Sequence, residues 1–142
     1  MAKVISKGTV LEVTISSTLT PIAQLRTFQV GGQDPSVFNA NTLGGNPFDQ
    51  GGTGYSAQGD VTGDYFYDPA NATHQFIAAT SQTPLTPGNE VACNITMVDS
   101  GATDIPFDAA AIGLGDTTFE MENGVVQAFV IKPSELVEFP TS

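Results

Sequence analysis

The stretch Thr117-Thr118-Phe119-Glu120-Met121-Glu122, then Asn123-Gly124, then Val125-Val126-Gln127-Ala128-Phe129-Val130-Ile131 makes the strongest local statement about the fold. Two runs rich in β-branched and aromatic residues flank an Asn-Gly pair. Asn and Gly tolerate the positive φ that a two-residue type I′ hairpin turn demands at both positions. If Glu122 pairs with Val125, then Phe119 and Met121 share a face with Val126, Ala128 and Val130. That register assembles an apolar face unaided. Glu120 and Glu122 then point to the other side, together with Val125, Gln127 and Phe129.

Working outward, Glu90–Val98 alternates most cleanly, with Val91, Cys93, Ile95 and Met97 on one face and Ala92, Asn94 and Thr96 on the other. Cys93 therefore reads as a small buried hydrophobe rather than a nucleophile. Gly8–Ser17 places Leu11, Val13 and Ile15 on one face. A turn near Thr20-Pro21 leads into a second strand over Ile22–Val30. A helix is predicted from Asp68, as cap, and Pro69, at the first helical position, through Ala70 to about Thr80. It carries Ala72, Phe76 and Ala79 on one side. Residues 31–59 read as a long Gly-rich polar loop, and loops of that length inside a compact domain are usually functional. The fold class expected is mainly β: an antiparallel β-sandwich or open barrel with one flanking α-helix, forming a single domain over residues 1–142.

Composition narrows the function. The 142 residues carry four Lys and Arg against fifteen Asp and Glu, a net charge of −11. Nucleic acids are gripped through Lys and Arg, so this balance argues against a DNA-binding domain and against adhesion to anionic lipid. One cysteine makes no intrachain disulfide. No apolar run approaches the roughly 20 residues that a bilayer requires, so no membrane partner is expected. Met1–Gly8 lacks the apolar stretch of a signal peptide. The patterns Asn71-Ala72-Thr73 and Asn94-Ile95-Thr96 are accordingly read as coincidental glycosylation matches.

Catalytic chemistry finds little to use. A hydrolytic triad would run through His74, the single histidine, which sits in the predicted helix without a nucleophile motif. One Cys and one His do not make a zinc site. Asp60, Asp64 and Asp68 invite a calcium reading, but four residues of strand separate neighbours by roughly 13 Å. The oxygens around one ion must lie within about 2.6 Å of it. An extended strand therefore does not gather the three. No catalytic residue, metal ligand or cofactor is expected, and the protein is read as a non-enzyme.

The order of features is more specific than any one of them. Lys7-Gly8-Thr9-Val10-Leu11 opens a strand, Pro21-Ile22-Ala23-Gln24-Leu25 follows, and Gly31-Gly32 marks a turn. After the long loop come Gly59-Asp60-Val61-Thr62-Gly63-Asp64-Tyr65-Phe66-Tyr67-Asp68-Pro69 and a helix with Asn71, Ala72, His74 and Gln75. This order resembles the tail tube protein, or major tail protein, of long-tailed bacteriophages of the lambda-like type. The resemblance is clearest over residues 7–31 and 59–79 and holds in order through about 131.

It implies a β-sandwich flanked by a helix and assembled into homo-hexameric rings. Strands of the six subunits would join into an inner barrel, and the rings would stack as the conduit for genome delivery. The implied partners are further copies of the chain, a tape-measure protein and tail terminator or tip proteins, with DNA passing through without specific binding. The implied location is the virion tail, after synthesis and assembly in the bacterial host cytoplasm. By the resemblance, the loop 31–59 reaches neighbouring subunits or rings, with Gly31, Gly32, Phe38, Phe48 and Tyr55 as candidate contacts. The N-terminal segment and a C-terminal arm over 133–142 are further contacts. Candidate lumen-facing acids are Asp60 and Asp64 on one strand and Glu120 and Glu122 on the hairpin. The competing reading is a capsid decoration or surface-attachment β-sandwich module.

Overall fold

The computed structural model describes residues 8–39, 50–99, 101–122 and 124–141. The chain is mainly β, as expected. Its strands are β1 (Val10–Ile15), β2 (Thr18–Pro21), β3 (Leu25–Val30), β4 (Gln33–Asn39), β5 (Gln50–Gln58) and β6 (Val61–Phe66), followed by helix α1 (Ala72–Gln82). Then come β7 (Val91–Thr96), β8 (Asp104–Glu120) and β9 (Gly124–Pro133). Seven strands form one antiparallel sheet in the order β2-β1-β7-β8-β9-β6-β3, while β4 and β5 pair as a separate ribbon.

The sheet does not close, because β2 and β3 remain its two edges. It wraps instead. Leu11 and Val13 of β1 belong to the same buried cluster as Val61 and Tyr65 of β6, although three strands stand between them. The wrap turns on β8, which pairs with β7 over Asp104–Ala109 and with β9 from Ala109 onward. Ile105, Phe107 and Ala109 point inward, and then the register shifts between Ala109 and Ala111, so that Ile112 is the next buried residue. One extra residue reverses the inside and outside parity and bends the strand. A second shift lies between Leu114 and Thr117.

Helix α1 packs against β8, and its buried residues are Thr73, His74, Ile77 and Thr80. That corrects the expected face of Ala72, Phe76 and Ala79: Ala72 and Ala79 are exposed and Phe76 is half-buried. The cap is Asn71 rather than Asp68, its side chain accepting from the Thr73 N–H. Asp68 instead caps the preceding turn, taking the Ala70 N–H on its carboxylate. Asn71 is thus committed to the cap, and Asn94 of the second glycosylation pattern is buried.

Two turns differ from expectation. β1 and β2 form a hairpin closed by Ile15 opposite Thr18, with Ser16 at φ 52° and Ser17 at φ 66°. This is the positive-φ pair of a two-residue turn, made without Asn or Gly. The expected turn at Thr20-Pro21 and the single strand Ile22–Val30 are therefore replaced by β2, a connector through Gln24 (φ 56°), and β3.

At the other hairpin, Glu120 pairs with Gly124 and Phe119 with Val125, leaving three residues in the loop. Asn123 lies outside the described residues. Relative to the expected register the pairing slips by three, an odd number, which flips every side chain of one strand relative to the other. The buried residues of β9 are Gln127, Phe129 and Ile131, not the set of Val126, Ala128 and Val130. Phe119 and Met121 stand exposed at the tip. Three-residue loops are the next commonest hairpin solution, and Gly124, at the start of β9, has φ 87°.

These turns predict opposite responses. Gly124→Val puts a branched side chain on a left-handed backbone and is expected to lower unfolding stability by about 1–2 kcal/mol. No atom crowds the position, so the loss comes from backbone strain alone. Ser17→Gly relieves a similar strain and is expected to raise stability by about 0.5–1 kcal/mol. Urea titration of the two variants beside wild type measures both signs.

Candidate functional site

Residues 31–59 are not the open loop expected from their composition. They form the β4–β5 ribbon, paired from Gln33 opposite Gln58 out to Asn39 opposite Gln50. Residues 40–49 lie outside the described residues, and Phe48 with them. At the root, Gly31 donates its N–H to the Asp60 carbonyl at 2.8 Å and Gly59 donates to Gly32 at 2.9 Å. A Cβ on Gly31 would sit 2.6 Å from backbone atoms of Gly59. Two glycines are needed there because two backbones touch. Of the other candidate contacts, Gly32 is exposed at the root, Phe38 stands in β4 opposite Gly51, and Tyr55 of β5 is 77% exposed.

The root is also tied to the C-terminal segment. The Gln33 amide donates to the Val137 carbonyl at 2.7 Å, and the Val137 N–H donates to the Gln58 side-chain oxygen at 3.0 Å. Val137 is fully buried, and Ser134 donates its backbone N–H to the Asp108 carbonyl. The expected arm over 133–142 is therefore docked on its own subunit at least as far as Val137. β9 itself continues to Pro133.

The candidate acids separate. Asp60 is exposed just ahead of β6, and Asp64 lies on the strand between inward-facing Gly63 and buried Tyr65, on the outward face. Glu120 ends β8 and Glu122 lies in the turn, so the two do not form the same-strand pair expected of them. The corrected register places Glu120 with Val126 on the outward face, whereas Gln127 and Phe129 turn inward.

Arg26 pairs with one of these acids and shares a cleft with another. Its guanidinium lies 3.7 Å from the Asp64 carboxylate and 5.2 Å from the centroid of Phe66. A shallow cleft is lined by Arg26, Phe66, Glu120 and Val126. Asp64 and Glu120 are thus brought to one neighbourhood around a cation that the sequence reading did not single out. Its signal was available: Arg26 is the only arginine in the chain. Asp60, Asp64 and Asp68 are not gathered, and no group of three or more His, Cys, Asp or Glu suited to a metal occurs among the described residues. No described helix is long and apolar enough to cross a membrane.

Behind this face lies a polar chain within the core. His74 is fully buried and stacks on Tyr65, the ring centroids 4.0 Å apart and the planes 7° from parallel. Its Nδ1 accepts from the Asp68 N–H at 3.0 Å, so the proton sits on Nε2, which donates to the Ala23 carbonyl at 2.7 Å. The Tyr65 hydroxyl donates to the Gln127 side-chain oxygen, whose amide donates to Thr117. Each polar group has a partner, which is what makes burial tolerable. The histidine is committed to holding the β2–β3 connector and the helix entrance together.

Burial also suppresses the Cys93 thiol. Cys93 is 2% exposed, and desolvation, with a smaller contribution from the Asp108 charge, pushes its thiol up to about 12. Desolvation, with a smaller effect of Tyr67, likewise pushes Tyr65 up to about 12. In the unfolded chain both groups ionise at lower pH, so unfolding releases protons and alkali favours the unfolded state. Stability is therefore expected to be unaffected by these groups below pH 9 and to fall between pH 9 and 12. Denaturant midpoints across that range, with Cys93→Ala flattening the part that begins near pH 9, test the assignment. No protein-family model and no curated protein matches this chain.

Proposed function

We propose that this chain is a non-enzymatic structural subunit that assembles with its own copies into stacked rings, forming the tube of a phage tail. The observation that carries the reading is the chemistry of the two open edges. β2 and β3 terminate a seven-stranded sheet, and neither carries a carboxylate, in a chain with fifteen Asp and Glu. Isolated sheets protect such edges with charge, Pro, bulges or extreme shortness. β2 is short and ends at Pro21, but β3 offers six residues with Arg26 as its one charge and a bulge only at its start. Edge-to-edge joining of copies would satisfy those backbone groups and continue the sheet around a ring.

Two further features support it. The β4–β5 ribbon makes its contacts chiefly within itself and exposes residues 54–57, as a contact arm would. The outward face of β3 and β6 carries the neutral groups Thr27, Gln29 and Thr62 beside Asp64, whose carboxylate engages the one cation there, Arg26. A lumen of that kind offers DNA few cationic phosphate contacts.

Negative-stain microscopy of the concentrated protein tests the reading: rings or tubes are expected, while discrete monomers or closed trimers would favour a capsid decoration module. Replacing residues 34–57 by a short Gly/Ser linker, which keeps Gln33 and Gln58 and their hydrogen bonds to Val137, should leave the seven-stranded sheet folded, because closure cost changes slowly with loop length. Circular dichroism checks this. Stacking should be lost, and long tubes formed by that variant would remove the ribbon from the inter-ring contact.

A further inference from the structure

The hairpin joining β8 to β9 runs past the part of the sheet that the chain covers for itself. Along the inward face of β9, Phe129 and Gln127 are buried and Val125 is half-buried, while Phe119, which pairs with Val125, is 73% exposed. Met121, in the turn, is fully exposed. The face that is core at Phe129 thus continues to the tip without a cover among the described residues. An apolar patch with a polar rim is the kind of surface that binds another molecule.

The rim here is acidic. Asp116, Glu120 and Glu122 are all exposed. Glu120 shares its cleft with Arg26 on the outward face, whereas no ion pair engages Asp116 or Glu122 among the described residues. The chain has no Lys or Arg between Arg26 and Lys132. Arg26 is already held by Asp64. Lys132 stands eight residues beyond Gly124 on β9, roughly 27 Å of strand away from the turn.

These charges decide between occupants. Nucleic acid and anionic lipid are repelled by carboxylates. A second copy brings a net charge of −11 and only four cations, of which Arg26 is engaged. What complements the tip is positive charge beside apolar surface, in a chain whose composition is opposite to this one. The two apolar side chains suit such a partner. A phenyl ring orders at low entropic cost and takes a cation on its face, and a methionine adapts its shape to what it meets.

We propose that the β8–β9 hairpin tip docks a segment of a different protein, one that presents an apolar face bordered by Lys or Arg. Phe119 and Met121 enter the apolar face, and Asp116 and Glu122 meet the bordering cations. Lysine and arginine stems add apolar cover around the ring. The inference rests on the tip alone and not on the tube reading.

The test uses the full-length chain and a labelled synthetic Leu/Lys amphipathic peptide as the probe, with binding followed by fluorescence anisotropy. One variant carries Phe119→Ser and Met121→Ser, a second Asp116→Asn and Glu122→Gln. A third, Glu135→Gln with Glu138→Gln, removes the same charge from exposed positions elsewhere, and circular dichroism checks that all three are folded. The two tip variants should bind the peptide on the order of tenfold more weakly than wild type, the third should match wild type, and added salt should weaken the wild-type complex. Dilute hydrogen peroxide with mass spectrometry locates the contact: bound peptide should protect Met121 from oxidation, with Met97, packed against the core, as the internal control. Tip variants that bind like wild type, or a third variant that loses as much as they do, would assign the attraction to the acidic surface as a whole and overturn the proposal. Met121 protected by raising the concentration of the chain alone would make a second copy the occupant and overturn it too. So would protection by phosphatidylcholine vesicles but not by the peptide, which would assign the tip to lipid.

Discussion

The structure depends on β8 being long and bent. Its first half pairs with β7 and its second with β9, so the backbone hydrogen bonds of one strand tie the β1–β2–β7 side to the β9–β6–β3 side. A flat strand of seventeen residues would keep one parity throughout and leave half of its apolar side chains facing water. The extra residue between Ala109 and Ala111 changes parity at the bend, so Ile105, Phe107 and Ala109 before it and Ile112 after it all reach one core. Helix α1 packs on that bent strand, and the Ser81 hydroxyl accepts the Leu114 N–H near the second irregularity. A bulge leaves a ladder donor without its usual partner, and a buried donor left so is costly.

The polar chain through Tyr65 and His74 extends that constraint to the far edge. The histidine links the turn before the helix to the connector between β2 and β3, and the Tyr65–Gln127–Thr117 hydrogen bonds link β6 to the outer part of β8 and β9. The edges proposed to join between copies are therefore anchored from behind by buried groups with fixed directions. Hydrogen bonds, unlike apolar contacts, specify one arrangement, and an edge must present its backbone groups in register to be paired by another chain.

The sequence made the regular alternation legible and hid the places where alternation breaks. β1 was readable because Leu11 and Val13 keep period-two burial, and β7 because Cys93 and Ile95 are both buried apolar residues, although Asn94 between them is buried as well. β8 was not, since Ala109-Ala110-Ala111-Ile112 has no polar residue to mark the parity change. The Asn-Gly pair correctly marked a hairpin, but a loop one residue longer than the shortest solution reversed the faces assigned to Glu120 and Phe119. Ser16-Ser17 gave no turn signal because neither residue favours positive φ by itself; the pairing of Ile15 with Thr18 imposes it. The ribbon was read as a loop because its apolar content is low. Its strands are held by backbone pairing and by Gln33 and Gln58 at the root. At the candidate site, residue types were readable and neighbours were not: Arg26 sits beside Asp64 only because β3 pairs with β6.

Charge then limits how copies of such a subunit could meet. At a net −11, approach of two copies is repulsive at long range, and the repulsion decays over about 8 Å at physiological ionic strength. Contacts that succeed must lie where carboxylates are absent or where a cation faces them. The edges β2 and β3 meet the first condition. The hairpin tip meets neither, since Glu120 and Glu122 accompany its exposed Phe119 and Met121. An acidic surface interrupted at so few places disfavours random association and leaves a small set of permitted orientations. That is the property a subunit needs if high concentration is to give one ordered assembly rather than aggregate.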